Sequence, residues 1–318
     1  MRSCWSACVL FCVAILSCVA LASDSDGAIL SITKFDAPAY DRLRGIRRYA
    51  TEAEYKQATS DKRFTVSKVT YTSDGLAVVG YLYGPADGSG AKLPVIVFNR
   101  GSYIVNGEIG LYLASFWRLA NDGFLIFAPM YRGSEGSPGH DEMGGADVHD
   151  VLNALTALKS IKNADPSNMF LLGESRGGMM VLAALREGAN VRAAATVGTI
   201  TDLESFFVEQ PKTESHMSLA IWPNYKQDRA TILEHRSAVR WAERINVPVL
   251  LMHGGQDDSV NPMQSLRMGE ALQQHKKEYG LLIFAGDNHV LSAHREERDA
   301  QTSKWFRAHM SGSTPAAK

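Results

Sequence analysis

The chain has 318 residues, 45% hydrophobic and 21% charged, with 27 Gly and 11 Pro, which excludes a disordered, collagenous or coiled-coil chain. Its 33 basic and 34 acidic side chains leave a formal charge of −1, so no bulk electrostatic pull toward nucleic acid or an anionic membrane is expected. The length suits one large α/β domain or about two average ones, and an enzyme or a binding protein remains.

The cysteines, Cys4, Cys8, Cys12 and Cys18, all lie in the opening stretch. Arg2 precedes an apolar run from Ala7 to Leu16, and Ala20-Leu21-Ala22 places small residues at alternate positions. That layout predicts a secretory signal peptide over residues 1–22, cleaved after Ala22. Ser3 to Ala22 carries no charge and is long enough for an uncleaved anchor, the competing reading. A lipoprotein site at Cys18 fits less well because Leu16 is bulky. Cleavage removes every cysteine and leaves 32 basic against 34 acidic groups, a chain held by its core alone in an oxidising compartment. Export to the periplasm or medium, without stable membrane association after cleavage, is the expectation.

Residues 23–63 read as a polar lead segment with one short helix near Thr51 to Ala58. Phe64 to Tyr71 and Leu76 to Gly84 flank Ser73-Asp74-Gly75 and predict an antiparallel hairpin. Pro85 to Lys92 is a loop. Short apolar strands follow at Val95 to Phe98, Phe124 to Pro129, Met169 to Leu172, Ala193 to Val197, Val247 to Met252 and Leu281 to Ala285. Their near-continuous hydrophobicity is that of parallel strands buried on both faces. Val148, Val151, Leu152, Leu155 and Leu158 form the core stripe of an intervening helix. The alternation predicts a doubly wound, mostly parallel sheet with right-handed crossovers, whose ligands bind at the carboxyl ends of the strands. Thr201 to Asn246 is too long for a plain crossover and carries Phe206, Phe207, Trp222 and Tyr225, which predicts a small helical cap over the site. The alternative is a surface excursion that never meets ligand.

The sharpest chemical signal is Gly173-Glu174-Ser175-Arg176-Gly177-Gly178, between a predicted strand and a predicted helix. Gly-x-Ser-x-Gly in that setting is a nucleophile elbow. The serine occupies a strained turn, and side chains two residues away would meet neighbouring backbone. The turn lifts the Ser175 hydroxyl above the strand ends and aims the N–H groups of the helix start at an anion formed there. A serine needs a base, itself held by an acid. His253-Gly254-Gly255-Gln256-Asp257-Asp258 and Ala285-Gly286-Asp287-Asn288-His289 close the last two predicted strands, so an acid and a histidine can converge on Ser175 from one side. Asp257 and His289 are the candidates. Asp258 is adjacent, Asp202 follows an earlier strand, His294 falls in the expected last helix, and His253 reads as a brace for the acid loop. The oxyanion would be met by the N–H groups of Arg176 and Ser102, the latter in the loop Asn99-Arg100-Gly101-Ser102-Tyr103. Arg100 and Tyr103 are candidate substrate contacts, or pack beneath that loop.

Tyr131 to Gly139 is glycine-rich but lacks a following Lys-Ser/Thr, and Pro138 interrupts its N–H row, so it reads as a rigid loop and not a phosphate cradle. His140, Asp141, Glu142, Asp147, His149 and Asp150 match no catalytic zinc spacing. No metal or other cofactor is expected.

With these motifs the sequence resembles the prolyl oligopeptidase-like (S9) branch of the α/β-hydrolases. Asn99-Arg100-Gly101, Tyr131-Arg132-Gly133, Gly144-Gly145-Ala146-Asp147, Gly173 to Gly178, His253-Gly254-x-x-Asp257 and His289 carry the resemblance, which runs from about Val66 to His309. It implies an α/β-hydrolase catalytic domain over residues 64–311, with the cap over 201–246 and Ser175, Asp257 and His289 as the triad. Two departures stand out. No β-propeller is expected ahead of the domain, and Arg100 stands where the long-chain enzymes use a tyrosine hydroxyl as oxyanion donor. The expected function is an exported serine hydrolase cleaving a small or short-peptide substrate at a peptide or ester bond. A small-ester carboxylesterase is the alternative in the same class, and a non-catalytic ligand-binding homologue in another.

Overall fold

The computed structural model describes residues 25–87, 90–102 and 108–312, so the leader region and Tyr103 lie outside the described residues. β1 (Ile29–Lys34) precedes α1 (Glu52–Ser60), and β2 (Phe64–Ser73), β3 (Leu76–Pro85) and β4 (Leu93–Asn99) follow. The chain continues as α2 (Leu113–Asn121), β5 (Leu125–Pro129), α3 (Val148–Leu158), β6 (Ala164–Glu174), α4 (Arg176–Arg186) and β7 (Ala193–Val197). α5 (Leu203–Glu209), α6 (Pro211–Ile221) and α7 (Tyr225–His235) occupy the long interval before β8 (Val249–Gly254). α8 (Met263–Gln274), β9 (Tyr279–Phe284) and α9 (Arg295–Ala308) complete the described order.

These strands form one nine-stranded sheet in the order β1-β2-β3-β5-β4-β6-β7-β8-β9. The first four in that order pair antiparallel and the rest parallel. This is the α/β-hydrolase arrangement. The central strands are buried on both sides because their side chains alternate between two apolar layers. Val95 and Val97 of β4 join the layer with α3, α4 and α8, while Ile96 and Phe98 join the layer with α1, α2 and α9. Phe170 of β6 stacks on Phe306 of α9 at 4.6 Å between ring centres, fixing the last helix to the sheet.

The lead segment differs from its sequence reading in contributing a strand. β1 pairs with β2 at the sheet edge and is mostly exposed, so Leu30 and Ile32 lack the buried alternation that marks an inner strand. α1 starts on Thr51, whose hydroxyl accepts from the Glu54 N–H while the Glu54 carboxylate accepts from the Thr51 N–H. β6 extends well before Met169 because its N-terminal half runs along Leu93 and Pro94 at the sheet margin.

The hairpin is locked to the parallel half by one buried carboxylate. Asp150 of α3 is fully buried and accepts from the Ser73 hydroxyl at 2.7 Å, the Arg132 N–H at 2.7 Å and Arg132 Nη2 at 2.7 Å. Breaking a buried pair strands the remaining charge. Asp150→Ala should therefore lose about 3–5 kcal/mol of stability, read as a shift of the urea midpoint in circular dichroism.

Candidate active site

Ser175 joins β6 to α4 at φ 56° and ψ −123°, a conformation rare for a side chain other than glycine. Its N–H bonds to the Val197 carbonyl at 2.7 Å, and its own carbonyl accepts from Gly178 at 3.0 Å. Neighbouring backbone leaves no room beside it: a Cβ on Gly177 would stand 1.9 Å from the Asn99 carbonyl oxygen. The carboxyl end of β4 therefore presses directly on the first turn of α4.

Asp257, in the turn after β8, is satisfied at both oxygens. Oδ1 accepts from the Ser259 and Val260 N–H groups, each at 2.9 Å. Oδ2 lies 2.7 Å from His289 Nδ1 and 3.0 Å from His253 Nε2. Burial pushes this carboxyl up, but the hydrogen bonds from His253, His289 and the Val260 N–H outweigh it and hold the group well below the ordinary carboxylate range. An ionised Asp257 can only accept, so Nδ1 of His289 carries the proton and Nε2 of the neutral ring is left as the basic nitrogen. His289 follows β9 and lies against Gly198, where an added Cβ would come within 3.0 Å of Nδ1. His253 is fully buried, with Nε2 also 2.9 Å from the Val260 carbonyl and Nδ1 2.7 Å from the Ser265 hydroxyl. It braces the acid loop, as the sequence suggested.

Ser175 and His289 line one cavity of about 400 Å³. Tyr49, Gly101, Ser102, Glu174 and Arg176 line its polar side, and Met143, Ile200, Phe206, Met217 and Val260 its apolar wall. The cap helices supply Phe206 and Met217, and cap and cavity share one apolar cluster that also includes Phe207, Ile221 and Trp222. Ser175 and His289, the latter bonded to Asp257, thus share an apolar recess beyond the carboxyl ends of β6, β8 and β9.

A family model for Peptidase S9, the prolyl oligopeptidase family, matches residues 113–313. The chain belongs to the prolyl oligopeptidase family. As an S9 member it is a serine hydrolase. This S9 chain is 26% identical over 243 residues to the uncharacterized peptidase YtmA of Bacillus subtilis (strain 168), covering 75% of the chain and 92% of YtmA. It is 27% identical over 310 residues to the uncharacterized peptidase YuxL of the same organism, covering 91% of the chain but 46% of YuxL. Among solved structures it matches the acylaminoacyl peptidase of Pyrococcus horikoshii with a TM-score of 0.69 at 21% identity, over 80% of this chain and 43% of that one. The S9 chain therefore spans most of one relative and under half of the others.

The other candidates in this S9 domain are placed elsewhere. Asp258 accepts from the Ser259 hydroxyl at 3.2 Å. Asp202 caps α5, and His294 bonds to Asp287 at 2.8 Å. Arg100 is corrected as a substrate contact: it is fully buried and donates to the Gly101 carbonyl at 3.1 Å and the Met130 carbonyl at 3.0 Å, beneath the loop. Ser102 lines the cavity at φ 65°, and the Arg176 N–H opens α4. Asp141 and Asp147, between β5 and α3, pair with Arg176, and Asp150 of α3 pairs with Arg132.

Glu174 and Tyr49 are among the cavity residues that the sequence did not single out. Glu174 sits inside the recognised motif, buried 3.8 Å from Arg298, and burial raises its carboxyl above the ordinary value. Tyr49 lies in the lead segment, where no motif marks it. Because Gly177 has no space for a methyl group, Gly177→Ala should cost about 2–4 kcal/mol of stability and most of the activity. Urea unfolding and ester turnover on one preparation check both.

Proposed function

We propose that the chain is an exported serine hydrolase that cleaves peptide or ester bonds through a Ser175–His289–Asp257 triad and an acyl-enzyme. The observation that carries this reading is the 2.7 Å bond from His289 Nδ1 to Asp257 Oδ2 beside a cavity that Ser175 also lines. The Ser175 hydroxyl gives its proton to His289 Nε2 as its oxygen attacks the substrate carbonyl. Asp257 holds the imidazole in the required tautomer and stabilises the imidazolium that forms. The N–H groups of Arg176 and Ser102 meet the oxyanion. The tetrahedral intermediate then collapses as His289 returns the proton to the leaving amine or alcohol. Water, activated by the same ring, releases the acid and restores the serine.

The apolar wall of Met143, Ile200, Phe206, Met217 and Val260 favours an uncharged, apolar acyl or side-chain group next to the scissile carbonyl. Export rests on Arg2 and the apolar run Ala7 to Leu16, with small residues at Ala20 and Ala22.

A fluorophosphonate probe should label Ser175 in the folded wild-type chain and fail on Ser175→Ala, which should lose roughly 10⁶ in kcat against an activated ester. Retention of more than about a hundredth of the activity in Ser175→Ala would contradict the triad. Asp257→Asn should keep the fold, seen by circular dichroism, yet lose about 10⁴ in kcat by disturbing the His289 tautomer. A panel of p-nitrophenyl esters against aminoacyl p-nitroanilides separates the two bond classes. Turnover of both is expected from a peptidase, and of esters alone from a carboxylesterase.

A further inference from the structure

Arg100 and Arg176 clasp Tyr131 from the two elements that flank the nucleophile. Their guanidinium carbons lie 5.0 and 4.7 Å from the centre of the tyrosine ring, and all three residues are buried. Desolvating two cations next to each other is costly unless anions or dipoles answer them. Arg176 is answered by carboxylates. Nη1 and Nη2 bond Asp141 at 2.6 and 2.7 Å, and Nη2 also bonds Asp147 at 2.6 Å. Arg100 is answered by oxygen dipoles, with Nη2 donating to the Met130 carbonyl at 3.0 Å and the Ser134 hydroxyl at 3.2 Å.

What both arginines hold in common is the backbone beside Ser175. Arg100 Nη1 donates to the Gly101 carbonyl at 3.1 Å, and Arg176 Nη1 donates to the Ser102 carbonyl at 3.2 Å. Two consecutive carbonyls are thus drawn toward the buried cations. No peptide bond among the described residues is cis, and a trans peptide points its N–H away from its carbonyl. Turning the Gly101 carbonyl inward therefore turns the Ser102 N–H outward. The same peptide lies against the nucleophile: a Cβ on Gly101 would stand 3.2 Å from Ser175 Cβ and 3.2 Å from the Glu174 carbonyl oxygen. Ser102 is also held at φ 65°, a left-handed conformation that a serine does not keep unless its surroundings impose it.

We propose that Arg100 and Arg176 are positioning residues which, through the Gly101 and Ser102 carbonyls, hold the Ser102 N–H beside the Arg176 N–H as paired donors for the oxyanion of acyl transfer. The inference rests on the hydrolase reading above and deepens it. Arg176 acts twice, its backbone as one donor and its side chain as the clamp on the other. The support reaches the cap, because the turn that carries Asp141 and Asp147 is itself held by Arg236, whose Nε donates to the Met143 carbonyl at 2.6 Å, and by Trp222, whose Nε1 donates to the Glu142 carbonyl at 2.9 Å.

Arg176→Lys keeps the charge but cannot bond Asp141, Asp147 and the Ser102 carbonyl at once. The assay measures kcat and KM for an activated ester, the Ki of a trifluoromethyl ketone whose adduct carries an oxyanion, and thermal unfolding. The expected result is a loss of about 10² in kcat with KM little changed, inhibitor binding weakened in proportion, and a lowered unfolding temperature that still leaves the chain folded at the assay temperature. A folded Arg176→Lys chain with kcat within threefold of wild type, or with kcat reduced and inhibitor binding intact, overturns the inference. Should the variant not fold, the crystal structure of the wild-type trifluoromethyl ketone adduct decides. The adduct oxygen should lie about 2.7–3.1 Å from the Ser102 and Arg176 nitrogens, and an oxygen turned to other donors overturns it. A folded wild-type chain that forms no adduct and takes no fluorophosphonate rejects the hydrolase reading itself.

Discussion

Ser175 is held at φ 56° and ψ −123°, a conformation that costs a residue with a side chain about 1–3 kcal/mol. The backbone packed around it imposes that turn. The Val197 carbonyl and the Gly178 N–H bond to its two ends, and the Asn99 carbonyl packs where Gly177 lacks a Cβ. Three parallel strands, β4, β6 and β7, thereby press on one residue. The turn sets Ser175 on the cavity that His289 also lines, with α4 starting at the same space. A backbone with a less crowded surround would relax to ordinary angles and withdraw the hydroxyl.

The pair His289 and Asp257 is organised by a different principle, the full satisfaction of one buried carboxylate. Asp257 collects two N–H groups and two imidazoles, so it stays ionised while buried and has no orientation other than the one that faces His289. His253 contributes by closing the remaining geometry, with its second nitrogen tied to Ser265 on α8. Removing the brace would leave Oδ2 of Asp257 held by His289 alone.

Much of this was legible in the sequence because its signals are local. The elbow is six consecutive residues, and Asp257 and His289 each close a strand whose apolar run is plain. The parallel strands announced themselves by burial on both faces, and the helical interval after β7 by its length. What the sequence hid depends on partners far along the chain. Arg100 read either as a substrate contact or as packing beneath its loop, and the sequence could not choose because the oxygens that bury it come from Met130 and Ser134. Asp147 stood among acids that match no zinc spacing, and only the fold brings Arg176 to it. β1 escaped because an exposed edge strand lacks the alternation that betrays an inner one. Glu174 was in plain view inside the motif, but its burial against Arg298 is a property of the packed α9.

The account stands or falls on Ser175 carrying the acyl group during turnover. Mixing the folded chain with an activated ester, quenching in acid over a series of times and mapping the acyl mass by peptide digestion tests this directly. The account predicts one acyl group per chain on the peptide that contains Ser175. An acyl group on another side chain, or sustained hydrolysis with Ser175 unmodified at every quench time, would contradict it.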